Sequence, residues 1–165
     1  MGILSFLFGG GNQQPQPPQI QSIYPQGAIL KLQSGVLPTI QTDKLVLSAG
    51  EICHYVDRAI IVTEKKCRQS QHQGGSFRIF SGAYYHTGGT VSKPFTEPEL
   101  TNGIFYITNK RTIFVSRKNG FDKEIKKITA ITPYTDGIEL QYGNKTYRLL
   151  VPDGDVPKHV LDLII

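Results

Sequence analysis

Polar and apolar positions alternate most regularly near the end of the chain. Ile138, Leu140 and Tyr142 interleave with Glu139 and Gln141, and after Gly143-Asn144 the pattern resumes with Tyr147, Leu149 and Val151 against Thr146 and Arg148. A period of two marks a half-buried strand, so this segment is predicted to be a β-hairpin. Upstream, the apolar and aromatic runs 104–108 and 112–116 flank Asn109-Lys110-Arg111 and read as a second hairpin. Lys118-Asn119-Gly120 is the next predicted turn, with Asn-Gly expected at the positive φ of tight hairpins, and residues 121–125 continue as a short strand. Ile125, Ile128 and Ile131 recur every third residue, which predicts a local bend before Pro133 and Asp136-Gly137 turn the chain.

The middle of the chain carries the same signature less cleanly. Residues 52–56 and 59–65, rich in β-branched side chains at Ile60, Ile61, Val62 and Thr63, read as one long strand or two short ones. Residues 69–75 are polar and end in glycine, so a loop is expected there, with strand-like sequence resuming at 76–81 and 83–87 and a further strand at 90–95. Ile29-Leu30-Lys31-Leu32 and residues 36–40, separated by Gln33-Ser34-Gly35, are predicted to form a small leading hairpin or an extended pair. Only the last segment, 155–165, reads as a helix. Asp155 is its expected N-cap, Pro157 stands in the tolerated first turn, and Val156, Val160, Leu163 and Ile164 recur at helical spacing. The predicted class is mainly β, with a C-terminal helix closing one end.

Residues 1–27 differ from everything after them. The first thirty positions hold no charged side chain, and Gln and Pro crowd residues 13–26. That composition predicts an extended linker, leaving 28–165 as the folded domain. Ahead of the linker stands an apolar plug, Ile3, Leu4, Phe6, Leu7 and Phe8, which Gly9-Gly10-Gly11 frees from the rest of the chain. It is either a disordered end or a short anchor for a membrane or a partner. A secretory signal is not expected, because the first basic residue is Lys31, and N-myristoylation would want Ser or Thr where Phe6 stands.

Composition narrows the classes. The chain has 165 residues, a formal net charge of +5, two cysteines and no tryptophan. Two cysteines are too few for a disulfide scaffold, and no run approaches the roughly 18 to 20 apolar residues of a membrane span.

The run from Gly103 to Phe114, with its Thr-Asn-Lys-Arg turn between two aromatic strands, continues into basic residues, the Ile125/Ile128/Ile131 segment, a hairpin and a terminal helix. This order resembles the GRAM and bacterial PH-like domain families over roughly residues 45–165. The resemblance implies a PH-like fold, two antiparallel sheets forming a partly open barrel plugged at one end by the C-terminal helix. It implies a binding module rather than an enzyme, with membrane lipid or protein as partner, and a turn in which Asn109 takes a left-handed conformation and Arg111 pairs with a carboxylate.

Charge is local. Lys110, Arg111, Arg117, Lys118, Lys123, Lys126 and Lys127 stand against Asp122 and Glu124, and Arg58, Lys65, Lys66, Arg68 and Arg78 face only Glu64. Basic turns beside a barrel mouth attract anionic lipid headgroups, and with the apolar plug they make the two weak signals that peripheral anchoring needs. The alternative is a solvated face that keeps a β protein in solution. Cys53-His54, Cys67 and His72 lack the spacing of a zinc site, since adjacent strand residues point to opposite faces. A Cys53–Cys67 disulfide is open on the sequence. No nucleophile-base motif, phosphate-binding glycine loop or cofactor signature occurs, and a modest charge with core-facing aromatics argues against nucleic acid. Two expectations remain. One is a cytoplasmic module peripheral to the inner face of a membrane, and the other is a protein-interaction module, engaging a partner or a copy of itself, with no lipid ligand.

Overall fold

The computed structural model describes residues 2–3, 18–80 and 83–165, with the side chains of 69–93 outside the description. Seven strands run in chain order: β1 (Cys53–Phe80), β2 (Ala83–Thr108), β3 (Arg111–Ser116), β4 (Phe121–Glu124), β5 (Ala130–Tyr134), β6 (Gly137–Tyr142) and β7 (Lys145–Leu150). They form one sheet in the order β4-β3-β2-β1-β7-β6-β5. The ladders whose register is described are antiparallel, for example Phe105 opposite Phe114, Leu140 opposite Tyr147 and Ile60 opposite Leu150. The sheet is not closed, since β4 and β5 are its two ends. A mainly β chain with a terminal helix is therefore what forms. The expected pair of sheets is corrected, because the β1–β7 ladder joins both halves into one.

The strands divide between two units, Met1–Thr63 with Leu100–Ile165, and Glu64–Glu99. In the first, alternation sends one face inward. Tyr55, Phe105, Phe114, Leu140 and Leu149 are essentially inaccessible to solvent. Phe121 on β4 stacks on Tyr147 of β7 with ring centroids 4.3 Å apart, and it also meets Phe105 and Phe114. The Thr112 hydroxyl of β3 hydrogen-bonds the Tyr142 hydroxyl of β6. Strands that are not neighbours in the sheet order thus touch across its interior, so the sheet is curled on itself.

Two helices pack against this core. The first, α1 (Gln26–Gln33), buries Ala28 and Leu32 and replaces the predicted leading hairpin. It ends in a Schellman arrangement, Val36 N–H donating to Lys31 O and Gly35 N–H to Leu32 O at 2.9 Å each, with Gly35 at φ +76°. The second, α2 (Asp155–Ile164), buries Pro157, Val160 and Leu161, with Val156 and Ile164 also packed on the core as predicted and Leu163 exposed, and its N-cap is Gly154 rather than Asp155. A Cβ on Gly154 would collide with Gly137 O and Tyr134 O, so the helix start sits against the β5–β6 turn with no room for a side chain.

Three further expectations are corrected. Residues 69–75 are strand within β1, and the predicted strands at 83–87 and 90–95 are parts of β2. The Asn119-Gly120 turn has no positive φ at either residue. It is held instead by Asn119 N–H donating to Ser116 Oγ at 3.0 Å, and Gly120 is placed where a Cβ would come 2.9 Å from Phe114 O. Finally, the folded unit begins before residue 28. Buried Asp57 accepts hydrogen bonds from Ser22 Oγ and Ile23 N–H, both at 2.7 Å, and buried Tyr24 donates to His54 O at 3.0 Å.

Phe121→Ala is expected to destabilise the protein by about 3 to 5 kcal/mol, because it removes the ring that joins edge strand β4 to β7 across the core. Gly154→Ala is expected to cost about 3 kcal/mol by overpacking against backbone, whereas Gly143→Ala, at φ +61° in open space, costs only about 1 to 2 kcal/mol. Urea denaturation of the three variants checks the order.

Candidate functional site

The turn between β2 and β3 is two residues, Asn109-Lys110, and a buried polar hub fixes it. Thr108 Oγ1 donates to Glu51 Oε1 at 2.8 Å and accepts from the backbone N–H groups of Lys110 and Arg111 at 3.1 and 3.0 Å. The Asn109 amide clamps residues 50–52, donating to Gly50 O at 3.0 Å and accepting from Ile52 N–H at 2.9 Å. Asn109 does so without a positive φ, so the left-handed conformation implied by the family resemblance is absent.

Arg111 completes the hub. Its Nε donates to Glu51 Oε1 at 2.8 Å, Nη1 to Asp122 Oδ2 at 2.5 Å and Nη2 to Val46 O at 2.8 Å. Expected as a candidate ligand cation, Arg111 is instead a structural one, its charge matched by two carboxylates. The Glu51 side chain has no solvent exposure. Burial alone would raise its pKa. Hydrogen bonds from Arg111, the Ser48 backbone and the Thr108 and Ser48 hydroxyls overcome that and hold it at about 2.

The hub sets out a basic surface around it. Lys110 is exposed, its Nζ resting on Ala49 O at 2.5 Å. Lys126 and Lys127 are exposed on the single 3₁₀ turn Ile125–Lys127, and Lys127 makes a solvent-exposed contact with Glu124 at 3.4 Å. Half-buried Lys123 lies opposite Thr112 at the same end of β3. Arg117 and Lys118 follow the other end of that strand, and six residues of strand span about 20 Å. The seven basic residues are thus two groups and not one patch. Of the second cluster, Arg58, Lys65, Lys66 and Arg68 are placed as exposed or half-buried positions along β1, and the Arg78 side chain lies outside the described residues.

Between Lys110 and Lys126 opens a groove of about 810 Å³ floored by Ile125, Ile128, Ile164 and Ile165. A smaller hollow of about 510 Å³ lies across Lys110, between Val46, Leu47 and Arg111. Val46 is 88% exposed and Ile165 is 73% exposed. Sequence reasoning did not single out Val46. Three consecutive apolar residues outside any strand, Leu45-Val46-Leu47, carry no periodicity that would mark the exposed one.

The apolar plug is not where it was expected. Ile3 is 1% exposed, packed with Ile60, Val62 and Leu150, so it is no free anchor here. Leu4, Phe6, Leu7 and Phe8 lie outside the described residues. Both cysteines are free thiols, and burial pushes Cys53 up to about 11, which leaves it inert. His54 Nδ1 is 2.7 Å from Pro38 O, and among the described residues no cluster of three metal-binding side chains occurs. No helix among the described residues is long and apolar enough to cross a membrane.

Because the folded-state pKa of Glu51 lies below its ordinary value of 4.5, the hub's contribution is complete above pH 4.5 and lost as pH falls toward 2. That contribution is about 3 kcal/mol. Glu51→Gln should therefore be markedly less stable than the parent at pH 7, and the gap should close between pH 4.5 and 2. Denaturant midpoints of both chains across that range test this.

Comparison with known proteins returns no match, whether against family models, curated proteins or solved structures.

Proposed function

We propose that this chain is a non-enzymatic binding module of the PH-like, GRAM type that associates peripherally with an anionic membrane surface at the cytoplasmic side. The observation that carries the reading is the conjunction at one end of β3. Lys110 and Lys126 line an apolar groove there together with Glu124, exposed Lys127 follows Lys126 on the same 3₁₀ turn, and Val46 and Ile165 stand exposed nearby. The curled seven-stranded sheet followed by a terminal helix supports the PH-like part of the reading.

The magnitudes are those of a reversible contact. Each lysine near an acidic leaflet contributes about 1 kcal/mol, and burying Val46 contributes about 1.5 kcal/mol or more. A total of about 5 kcal/mol corresponds to dissociation constants of roughly 0.1 to 1 mM. Arg111 adds little, being already neutralised by Glu51 and Asp122.

The second reading, a protein-interaction module with no lipid ligand, is favoured by a different feature. The unit Glu64–Glu99 contains parts of two strands and no other described element. A two-stranded hairpin is marginal in water on its own, and its backbone edges are a template for another chain.

Co-sedimentation separates the two. The full chain should bind phosphatidylserine-containing vesicles and not phosphatidylcholine vesicles, and binding should weaken as salt is raised from low to moderate concentration. Val46→Asp should weaken it several-fold, and Lys126→Glu with Lys127→Glu should weaken it at least about tenfold. A chain that ignores acidic vesicles at low salt would leave the interaction module as the function.

A further inference from the structure

Gly2 and Ile3 are built into the fold rather than appended to it. The Ile3 backbone N–H donates to Asp136 Oδ1 at 2.8 Å, across 133 positions of sequence. Its side chain is buried against Ile60 and Val62 of β1 and Leu150 of β7, with Ile20 and Tyr134 packed at the rim. Both sides of the contact are closely packed, although the nearest atom to a Cβ on Gly137 would be the backbone oxygen of Leu149, at 2.3 Å. A Cβ on Gly2 would come 2.7 Å from Asp136 Oδ2, and one on Gly137 would come 2.5 Å from Ile3 Cδ1. An open cavity of about 620 Å³ adjoins this place, lined among others by Pro18, Ile20, Asp136 and Leu150.

We infer that the Asp136-Gly137 turn is a docking socket for Gly2-Ile3 of this chain, and that filling it withholds the apolar Ile3 side chain from the membrane. The withholding role rests on the membrane reading above. Ile3 heads the most apolar stretch of the first thirty residues. It cannot be buried against Leu150 and in lipid at once, so docking and insertion compete. The Ile3 amide hydrogen bond to Asp136 and the burial of the Ile3 side chain are the described contacts that local opening of the socket would break.

The test uses the full chain with Asp136→Ala, which removes the acceptor, Asp136→Asn, which keeps one, and Gly2→Val, which collides with the socket. Two readouts are taken: hydrogen-exchange protection of the Ile3 amide without lipid, and binding to phosphatidylserine vesicles. Asp136→Ala and Gly2→Val should lose that protection at least tenfold and bind vesicles several-fold more tightly, with melting temperatures near the parent's. Asp136→Asn should behave like the parent. Unchanged protection in both disrupting variants would overturn the socket. Lost protection with unchanged or weaker vesicle binding would overturn the withholding role. Protection that grows with protein concentration alongside a dimer would assign the socket to a second copy's residues and overturn docking within one chain. If no chain, the parent included, binds vesicles, the membrane reading fails and the withholding role with it, while the exchange data still decide the docking.

Discussion

The stack of Phe121 on Tyr147 ties edge strand β4 to β7 across the interior of an open sheet. Without it, β4 and β7 would belong to a flat ribbon with a single wetted apolar face. With it, the inward faces of β2, β3, β4, β6 and β7 share one interior. Everything that positions the basic surface depends on that curl. The turn between β2 and β3, the 3₁₀ turn after β4 and the end of α2 line one groove because the sheet has brought its remote strands over one another. The Thr112–Tyr142 hydrogen bond reinforces the same closure inside the core, where an unpaired hydroxyl would be costly.

The polar hub around Glu51 is the second constraint, and it is a local one. A buried carboxylate is tolerated only if its lone pairs are filled, and Arg111, Thr108 and Ser48 fill them. In return, residues 46–52 are pinned against the β2–β3 turn, which holds Val46 out toward solvent and Lys110 over the groove. Stability and the candidate surface are coupled through one buried acid. Lys110 rests on a neutral carbonyl and Lys127 on a solvent-screened carboxylate, contacts that an anionic surface can outcompete, whereas Arg111 is consumed by structure.

How much of the fold was legible in the sequence depended on how local the determining contacts are. The β6–β7 hairpin was readable because alternation fixes the inward face of Ile138, Leu140 and Leu149 without reference to anything distant. Helix α1 was not, since Ile29-Leu30-Lys31-Leu32 fits either period and only the burial of Ala28 and Leu32 against the core decides it. The glycine at position 35 was the overlooked signal, a C-terminal stop for a helix as much as a turn between strands. Strand β1 continues through residues 69–75 because β2 is there to pair with it, and a polar, glycine-ended stretch carries no trace of that partner. The carboxylate partner of Arg111 was expected in kind but its identity was not readable, as Glu51 lies 60 positions away. Counting charges along the chain likewise merged the two ends of β3 into one patch.

An open sheet has two exposed edges, and the way this one treats them bears on what the folded unit can bind. Edge strand β4 is four residues long with Asp122, Lys123 and Glu124 in its sequence, and a 3₁₀ turn ends it. Edge strand β5 is five residues long and contains Pro133, which has no N–H to offer a neighbour. Short, charged and proline-bearing edges resist strand addition by another chain. The larger unit is thus protected at the places where a mainly β protein is easiest to extend. Among its exposed apolar side chains, Val46 and Ile165 lie beside lysines, while others such as Leu30 and Val36 lie elsewhere on the unit. Glu64–Glu99, two strands with no other described element, differs in kind, because nothing described covers its backbone edges.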